Sequence, residues 1–282
     1  MEVVLADTAG FCMGVSLALK KLNAVVEAAE GIRHIRTLGP IIHNPQVLEH
    51  YAAHGVEVIE CAKDAEDGDV VVIRAHGVPQ ALEDDMKKRG VDIHDATCPK
   101  VKKAQLLIAR ETENGRTLLL YGEADHPEVR GLLSYAGPDA VVFESLEELK
   151  AALRPGTEYF LAAQTTQDRN LFEELKEYLA TALPAPIPVL ETICDATRIR
   201  QQEAIRIARE VDRMIVAGGR NSGNTRRLVQ VVRDQGVQCD HVETADELSA
   251  DAYRGISRIG LTAGASTPDK IIGEIVDKLK SF

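Results

Sequence analysis

HDATCPK (94–100) closes a short extended run and opens a helical pattern, with a cysteine and a proline at the joint. A cysteine also ends a strand-like run and precedes a helical pattern, without the proline, in ADTAGFCMG (6–14) and LETICDAT (190–197). Cys98 lies 86 residues after Cys12, and Cys194 lies 96 residues after Cys98. Between these joints, β-branched runs alternate with amphipathic helical patterns. VVL (3–5), HIRTL (34–38), VEVIE (56–60), VVVIRA (70–75) and TLLLYG (117–122) read as strands. AVVF (140–143), EYFLAA (158–163), PVLETI (188–193), RMIVAG (213–218) and RIGLTAG (258–264) continue the series. VSLALKKLNAVVEAAE (15–30) and LFEELKEYLATAL (171–183) show helical periodicity. This alternation predicts βαβ units and mostly parallel sheets, an α/β fold.

Two further sets of polar loops keep step with the cysteines. The first contains His43, His126 and Ser222, at offsets of 31, 28 and 28 from the preceding cysteine. The second contains His76, Thr165 and Ser266, at offsets of 64, 67 and 72. Each loop follows a predicted strand, and parallel α/β sheets bind ligands beyond the carboxyl ends of their strands. The spacing predicts three αβα units: 13–97, 98–193, and 194–282 completed by 1–12. The Pro-rich stretch 183–188 reads as a linker.

Composition removes several classes. A net charge of −11 argues against a nucleic-acid binder, which would carry a basic face. The short basic stretch Lys100, Lys102 and Lys103 begins a helical pattern and reads as a solvated face. No apolar run approaches the ~20 residues of a membrane span. The opening residues show neither the basic region nor the apolar core of a secretory signal, so a cytoplasmic protein is expected. Five cysteines with no Cys-x-x-Cys exclude a zinc ribbon, and an odd number argues against a disulfide framework.

The landmarks then suggest chemistry. Three thiols at equivalent strand ends suit a metal cluster, although buried cysteines also serve as small hydrophobes. Cys61 and Cys239 lack a polar loop and read as structural. GGRNSGNTRRL (218–228) and TAGASTPDKII (262–272) resemble anion-binding helix starts, with Ser266 or Thr267 expected to cap the second helix. Neither matches a Walker or dinucleotide glycine pattern. HPE (126–128) sets Glu128 at a helix start, as a proton donor or as an ordinary partner of the helix dipole.

Taken together, AGFCMGV (9–15), GPIIHNP (39–45), AHGV (75–78), DATCP (95–99) and GEADHPEV (122–129) resemble one family. QTTQ (164–167), TICDAT (192–197), NSGNT (221–225) and GAST (264–267) complete the set. It is the 4-hydroxy-3-methylbut-2-enyl diphosphate reductase (LytB) family, which acts last in the methylerythritol phosphate route to isoprenoids. The resemblance implies a pseudo-threefold trefoil of αβα units around a central [4Fe–4S] cluster. It implies Cys12, Cys98 and Cys194 as three ligands, leaving one iron open. His43, His76, His126, Ser222, Asn224 and Ser266 would hold the diphosphate, with Glu128 and Thr165 near the substrate hydroxyl. Ferredoxin or flavodoxin would supply electrons. Many members read Asn-Ser-Ser-Asn where this chain has Gly223 between Ser222 and Asn224, so one hydroxyl is lost. A quinolinate synthase-like enzyme and a non-catalytic anion-binding module remain as alternatives at this point.

Overall fold

The structure, a computed structural model, describes residues 1–28 and 34–282. Its strands are β1 (Glu2–Leu5), β2 (Ile35–Leu38), β3 (Val56–Ile59), β4 (Val70–Ile73), β5 (Asp92–Asp95) and β6 (Thr117–Tyr121). They continue as β7 (Val141–Phe143), β8 (Tyr159–Ala163), β9 (Arg213–Ala217), β10 (Gln238–Val242) and β11 (Arg258–Ala263). They form three sheets, ordered β3-β2-β4-β5, β7-β6-β8 and β10-β9-β11-β1, with every pairing parallel. The chain divides into two compact units. Met1–Ser16, Ile42–Glu49 and Asp195–Phe282 make the first, which holds the sheet of β1 and β9–β11. Leu17–Ile41 and His50–Cys194 make the second, with the other two sheets.

Both faces of these sheets are buried, as parallel sheets require. In β9, Met214 and Val216 enter one core cluster, while Ile215 and Ala217 enter another. In β6, Leu118 and Leu120 alternate in the same way with Leu119 and Tyr121. The apolar runs of β6 and β9 are therefore central strands, whereas β1, β3 and β7, also read from the sequence, stand at sheet edges. The helix expected over 15–30 is found as Met13–Glu27, and 29–30 lie outside the described residues. No helix among the described residues is long and apolar enough to cross a membrane.

Two edge strands went unread. β5 (DIHD) and β10 (QCDHV) lack an apolar run because Asp and His interrupt it, which their edge positions tolerate. Conversely, PVLETI forms only a parallel bridge, Leu161 to Val189. Leu161 N–H donates to Pro188 O at 2.9 Å and Leu190 N–H to Leu161 O at 2.8 Å. Beyond that the Thr192 hydroxyl replaces the ladder, accepting from Ala163 N at 2.8 Å and donating to Ala163 O at 2.6 Å.

Each sheet repeats one plan. Its second strand (β2, β6 or β9) leads into a first polar loop, carrying His43, His126 or Ser222. The next strand (β4, β8 or β11) leads into a second, carrying His76, Thr165 or Ser266. The outer neighbour of that strand leads to a cysteine: β5 to Cys98, the 188–193 segment to Cys194, and β1 to Cys12.

Candidate active site

The cysteines are held by their backbones. Cys12 N–H donates to Ala265 O at 3.2 Å, Cys98 N–H to Ala75 O at 2.9 Å, and Cys194 N–H to Thr165 O at 2.9 Å. In each case the acceptor lies in the second polar loop of the same sheet. All three thiols are half-buried, whereas Cys61 is exposed and Cys239 is buried. Burial pushes the Cys239 thiol up to about 11, which keeps it neutral and unsuited to metal. Each of these half-buried thiols, on backbone held in place without it, suits a thiolate ligand.

In the first unit, Gly10 precedes Cys12 with a φ of +99°, a conformation that admits glycine and disfavours other residues. Val15 N–H donates to Cys12 Sγ at 3.5 Å. Glu203 clamps the same loop, accepting from Asp7 N at 2.9 Å and from Thr8 N at 2.9 Å. Asn224 Oδ1 accepts from Ala265 N at 3.0 Å, so the NSGNT loop is tied to the carbonyl partner of Cys12. Ser266 Oγ donates to His43 O at 3.2 Å. Ser222 caps the helix Gly223–Arg233, accepting from Thr225 N at 3.3 Å. Cys12, His43, Ser222, Asn224 and Ser266 thus meet in one group of loops.

The expected cap of the last helix is not found. Helix Asp269–Lys280 has Pro268 at its cap and no side-chain bond there. Thr267 Oγ1 donates instead to Ala217 O at 3.1 Å, and Ser266 is turned to His43. Both hydroxyls fasten loops to one another, which sequence alone does not distinguish from capping.

The approach is close. A Cβ on Gly219 would stand 2.7 Å from His43 O, a backbone atom that cannot swing aside. Gly219→Ala is therefore expected to displace the His43 loop and cost about 1–3 kcal/mol of overpacking. The check is a lower Tm together with weaker binding of a diphosphate by calorimetry.

In the second unit, the helix Pro127–Leu133 starts at His126, whose Nδ1 accepts from Glu128 N at 3.1 Å. That bond leaves the proton of neutral His126 on Nε2, as a donor. His76 packs edge-on against it, with ring centroids 5.3 Å apart. Glu128 lies in the first turn of this helix and is 1% exposed, so it is no solvated surface carboxylate. Its Oε1 accepts from Thr165 N at 2.6 Å, and its Oε2 lies 2.9 Å from Thr165 Oγ1. Burial raises its pKa to about 7, although both Thr165 bonds act to lower it. Gln164 Oε1 accepts from Glu123 N and from Gln167 Nε2, each at 3.1 Å, and binds the GEADHPE and QTTQ loops together. Cys98, His76, His126, Glu128, Thr165 and Cys194 therefore form a second connected group. Sequence reasoning missed Glu203, because nothing local marks a helix residue that clamps a loop 195 positions away.

The fold and these loops define an α/β protein of three parallel sheets, with cysteines, histidines and hydroxyls at the strand ends and a buried carboxyl able to hold a proton near neutrality. The sequence profile of the LytB proteins matches residues 3–280. The chain belongs to that family. A 4-hydroxy-3-methylbut-2-enyl diphosphate reductase of Nitratidesulfovibrio vulgaris is 60% identical over 280 residues, covering 96% of this chain and 97% of the relative. The solved E-1-hydroxy-2-methyl-but-2-enyl-4-diphosphate reductase of Plasmodium falciparum matches with a TM-score of 0.93 and 26% identity, over 99% of this chain and 88% of that one. A second solved structure, of (E)-4-hydroxy-3-methyl-but-2-enyl diphosphate reductase, the terminal enzyme of the non-mevalonate pathway, is 38% identical. It covers all of both chains with a TM-score of 0.69.

Proposed function

We propose that this chain reduces 4-hydroxy-3-methylbut-2-enyl diphosphate to isopentenyl and dimethylallyl diphosphate, the last step of the methylerythritol phosphate route. In this reading it forms three αβα units (13–97, 98–193 and 194–282 with 1–12). Cys12, Cys98 and Cys194 hold a [4Fe–4S] cluster with one open iron, and ferredoxin or flavodoxin supplies electrons in the cytoplasm. The observation that carries the reading is the threefold repeat in which each cysteine amide binds the second polar loop of its own sheet. The full-length similarity to named reductases supports it.

When bound, the cluster supplies two electrons one at a time and a Lewis-acidic site for the substrate hydroxyl. The protein's share is recognition and protons. His43, Ser222 and Asn224 of one loop group and His76 and His126 of the other offer side-chain N–H and O–H donors to the diphosphate, and Ser266, whose hydroxyl donates to His43 O, offers its backbone N–H. Asn224 has its Oδ1 occupied by Ala265 N, so its Nδ2 hydrogens remain for the anion. Replacing the reactive hydroxyl by hydrogen consumes two electrons and two protons and releases one water. The Thr165 hydroxyl donates to Oε2 of the ionised carboxyl. Once Glu128 is protonated the bond reverses, with Oε2–H donating to Thr165 Oγ1, and the Thr165 hydroxyl hydrogen is freed for the departing hydroxyl. A diphosphate nearby adds negative charge and favours the protonated carboxyl further.

Asn224→Ala is expected to weaken binding of product diphosphate by roughly 1–3 kcal/mol, the range for a charge-assisted hydrogen bond, with the cluster spectrum unchanged. Unaltered affinity by calorimetry contradicts the role of Asn224. The function as a whole is tested by anaerobic purification. Brown protein that turns over the allylic diphosphate supports it, and a colourless preparation that binds diphosphate points to an anion-binding module.

A further inference from the structure

Helix Asp195–Ala208 begins directly after Cys194 and carries a charge that the chemistry above does not use. Arg200 is 4% exposed. Its Nη1 donates to Ala263 O at 2.5 Å, at the end of β11, and its Nη2 to Gly10 O at 2.9 Å, in the loop that ends on Cys12. Its Nε has no hydrogen-bond partner among the described residues. Among the described residues no carboxylate lies within 4.0 Å of the guanidinium in an ion pair. Burial draws its pKa down, while Cys12 and Glu203 act in the opposite sense.

A buried cation without an ion-pair partner is costly, because desolvation is repaid only by a nearby opposite charge. Two carbonyl dipoles repay part of it. The loop that Arg200 grips at Gly10 O reaches Cys12 two residues later, where a thiolate-ligated cluster would bring the negative charge that repays the rest. A strut with no electrostatic duty needs no fixed positive charge.

We propose that Arg200 is the positioning residue and buried counter-charge of the Cys12 side of the cluster. It fixes the Cys12 loop through Gly10 and stabilises the added electron when the cluster is reduced. The inference rests on the three-cysteine reading above. A positive charge close to a redox centre favours its reduced form, so losing that charge lowers the reduction potential. Glu203, on the same helix and loop, opposes the effect with its negative charge.

The test is an EPR-monitored redox titration of anaerobically reconstituted parent, Arg200→Gln, Arg200→Lys and Glu203→Gln proteins, with iron content measured in each. Arg200→Gln is expected to make one-electron reduction about tenfold less favourable, which is ~59 mV more negative. Arg200→Lys keeps the charge and should stay within about threefold of the parent equilibrium, although it loses the fork geometry. Glu203→Gln should move the potential in the positive direction. An iron-loaded Arg200→Gln protein at the parent potential overturns the proposal. If that variant fails to assemble the cluster, Glu203→Gln decides: a parent potential there overturns it, and a positive shift supports it. A parent protein that binds no iron would instead refute the three-cysteine reading itself.

Discussion

Serine in place of Cys12, Cys98 or Cys194 is expected to leave a folded protein that cannot hold its iron–sulfur cluster. Serine differs from cysteine by one atom, but its oxygen is a hard ligand that stays protonated at neutral pH, whereas cluster iron is held by thiolate. The fold should survive because the cysteines are anchored through backbone amides to Ala265, Ala75 and Thr165. Iron and sulfide per chain should fall to near zero in each variant, with far-ultraviolet circular dichroism unchanged. Cys61→Ser and Cys239→Ser serve as controls, since one thiol is exposed and the other is a buried neutral group. Both should keep parent iron content, although Cys239→Ser can lose about 1–3 kcal/mol of stability from a buried hydroxyl. Equal iron loss in all five variants would remove the distinction on which the ligand assignment rests.

Glu128→Gln should leave cluster and diphosphate binding intact and slow single-turnover reduction by ~10²–10⁴, the span of lost general acid catalysis. The amide can still accept from Thr165 N and donate to Thr165 Oγ1, so it retains both contacts of the carboxyl and loses only the transferable proton. Glu128→Asp should fall between, because it keeps the acid and shortens its reach. The pH dependence has a definite sign. Burial lifts the folded pKa from 4.5 to about 7, so the donor form is full well below pH 7 and is lost as pH rises through it. Single-turnover rate should therefore level off on the acid side and approach a tenfold fall per pH unit on the alkaline side. A bound diphosphate moves the bend upward. Stability follows the same direction: the raised pKa makes the ionised carboxylate a cost above pH 7 that is absent below pH 4.5. The glutamine variant is relieved of that cost, so a reduced rate with an undiminished Tm at pH 8 separates chemistry from misfolding. A Gln variant at the parent rate, flat across pH, would assign the proton to another source.

Much of this was legible in the sequence, for identifiable reasons. Central strands such as β6 and β9 announce themselves because both faces are buried and the run is continuous. β5 and β10 were silent because edge strands with Asp and His residues look like loops. The 188–193 segment read as a strand because it is one in hydrophobicity, but Thr192 substitutes a hydroxyl for the ladder. At the candidate site, the positions of the polar loops followed from their spacing. The partners did not. Ser266 could be read as a helix cap because a hydroxyl before Pro268 does cap helices, and only tertiary structure gives it His43 instead. Glu128 looked like any first-turn acid until burial and Thr165 set it apart. Arg200 and Glu203 carry no local signature, since what they grip lies at the other end of the chain.

Anaerobic turnover measures reductive dehydroxylation of an allylic diphosphate directly. Reconstituted protein, a reduced one-electron dye and 4-hydroxy-3-methylbut-2-enyl diphosphate are mixed without oxygen, and the products are separated and counted against dye oxidised. Isopentenyl and dimethylallyl diphosphate are expected, with two electrons consumed for each substrate lost. A brown, iron-loaded protein that binds the diphosphate and returns it unchanged would contradict the proposed function.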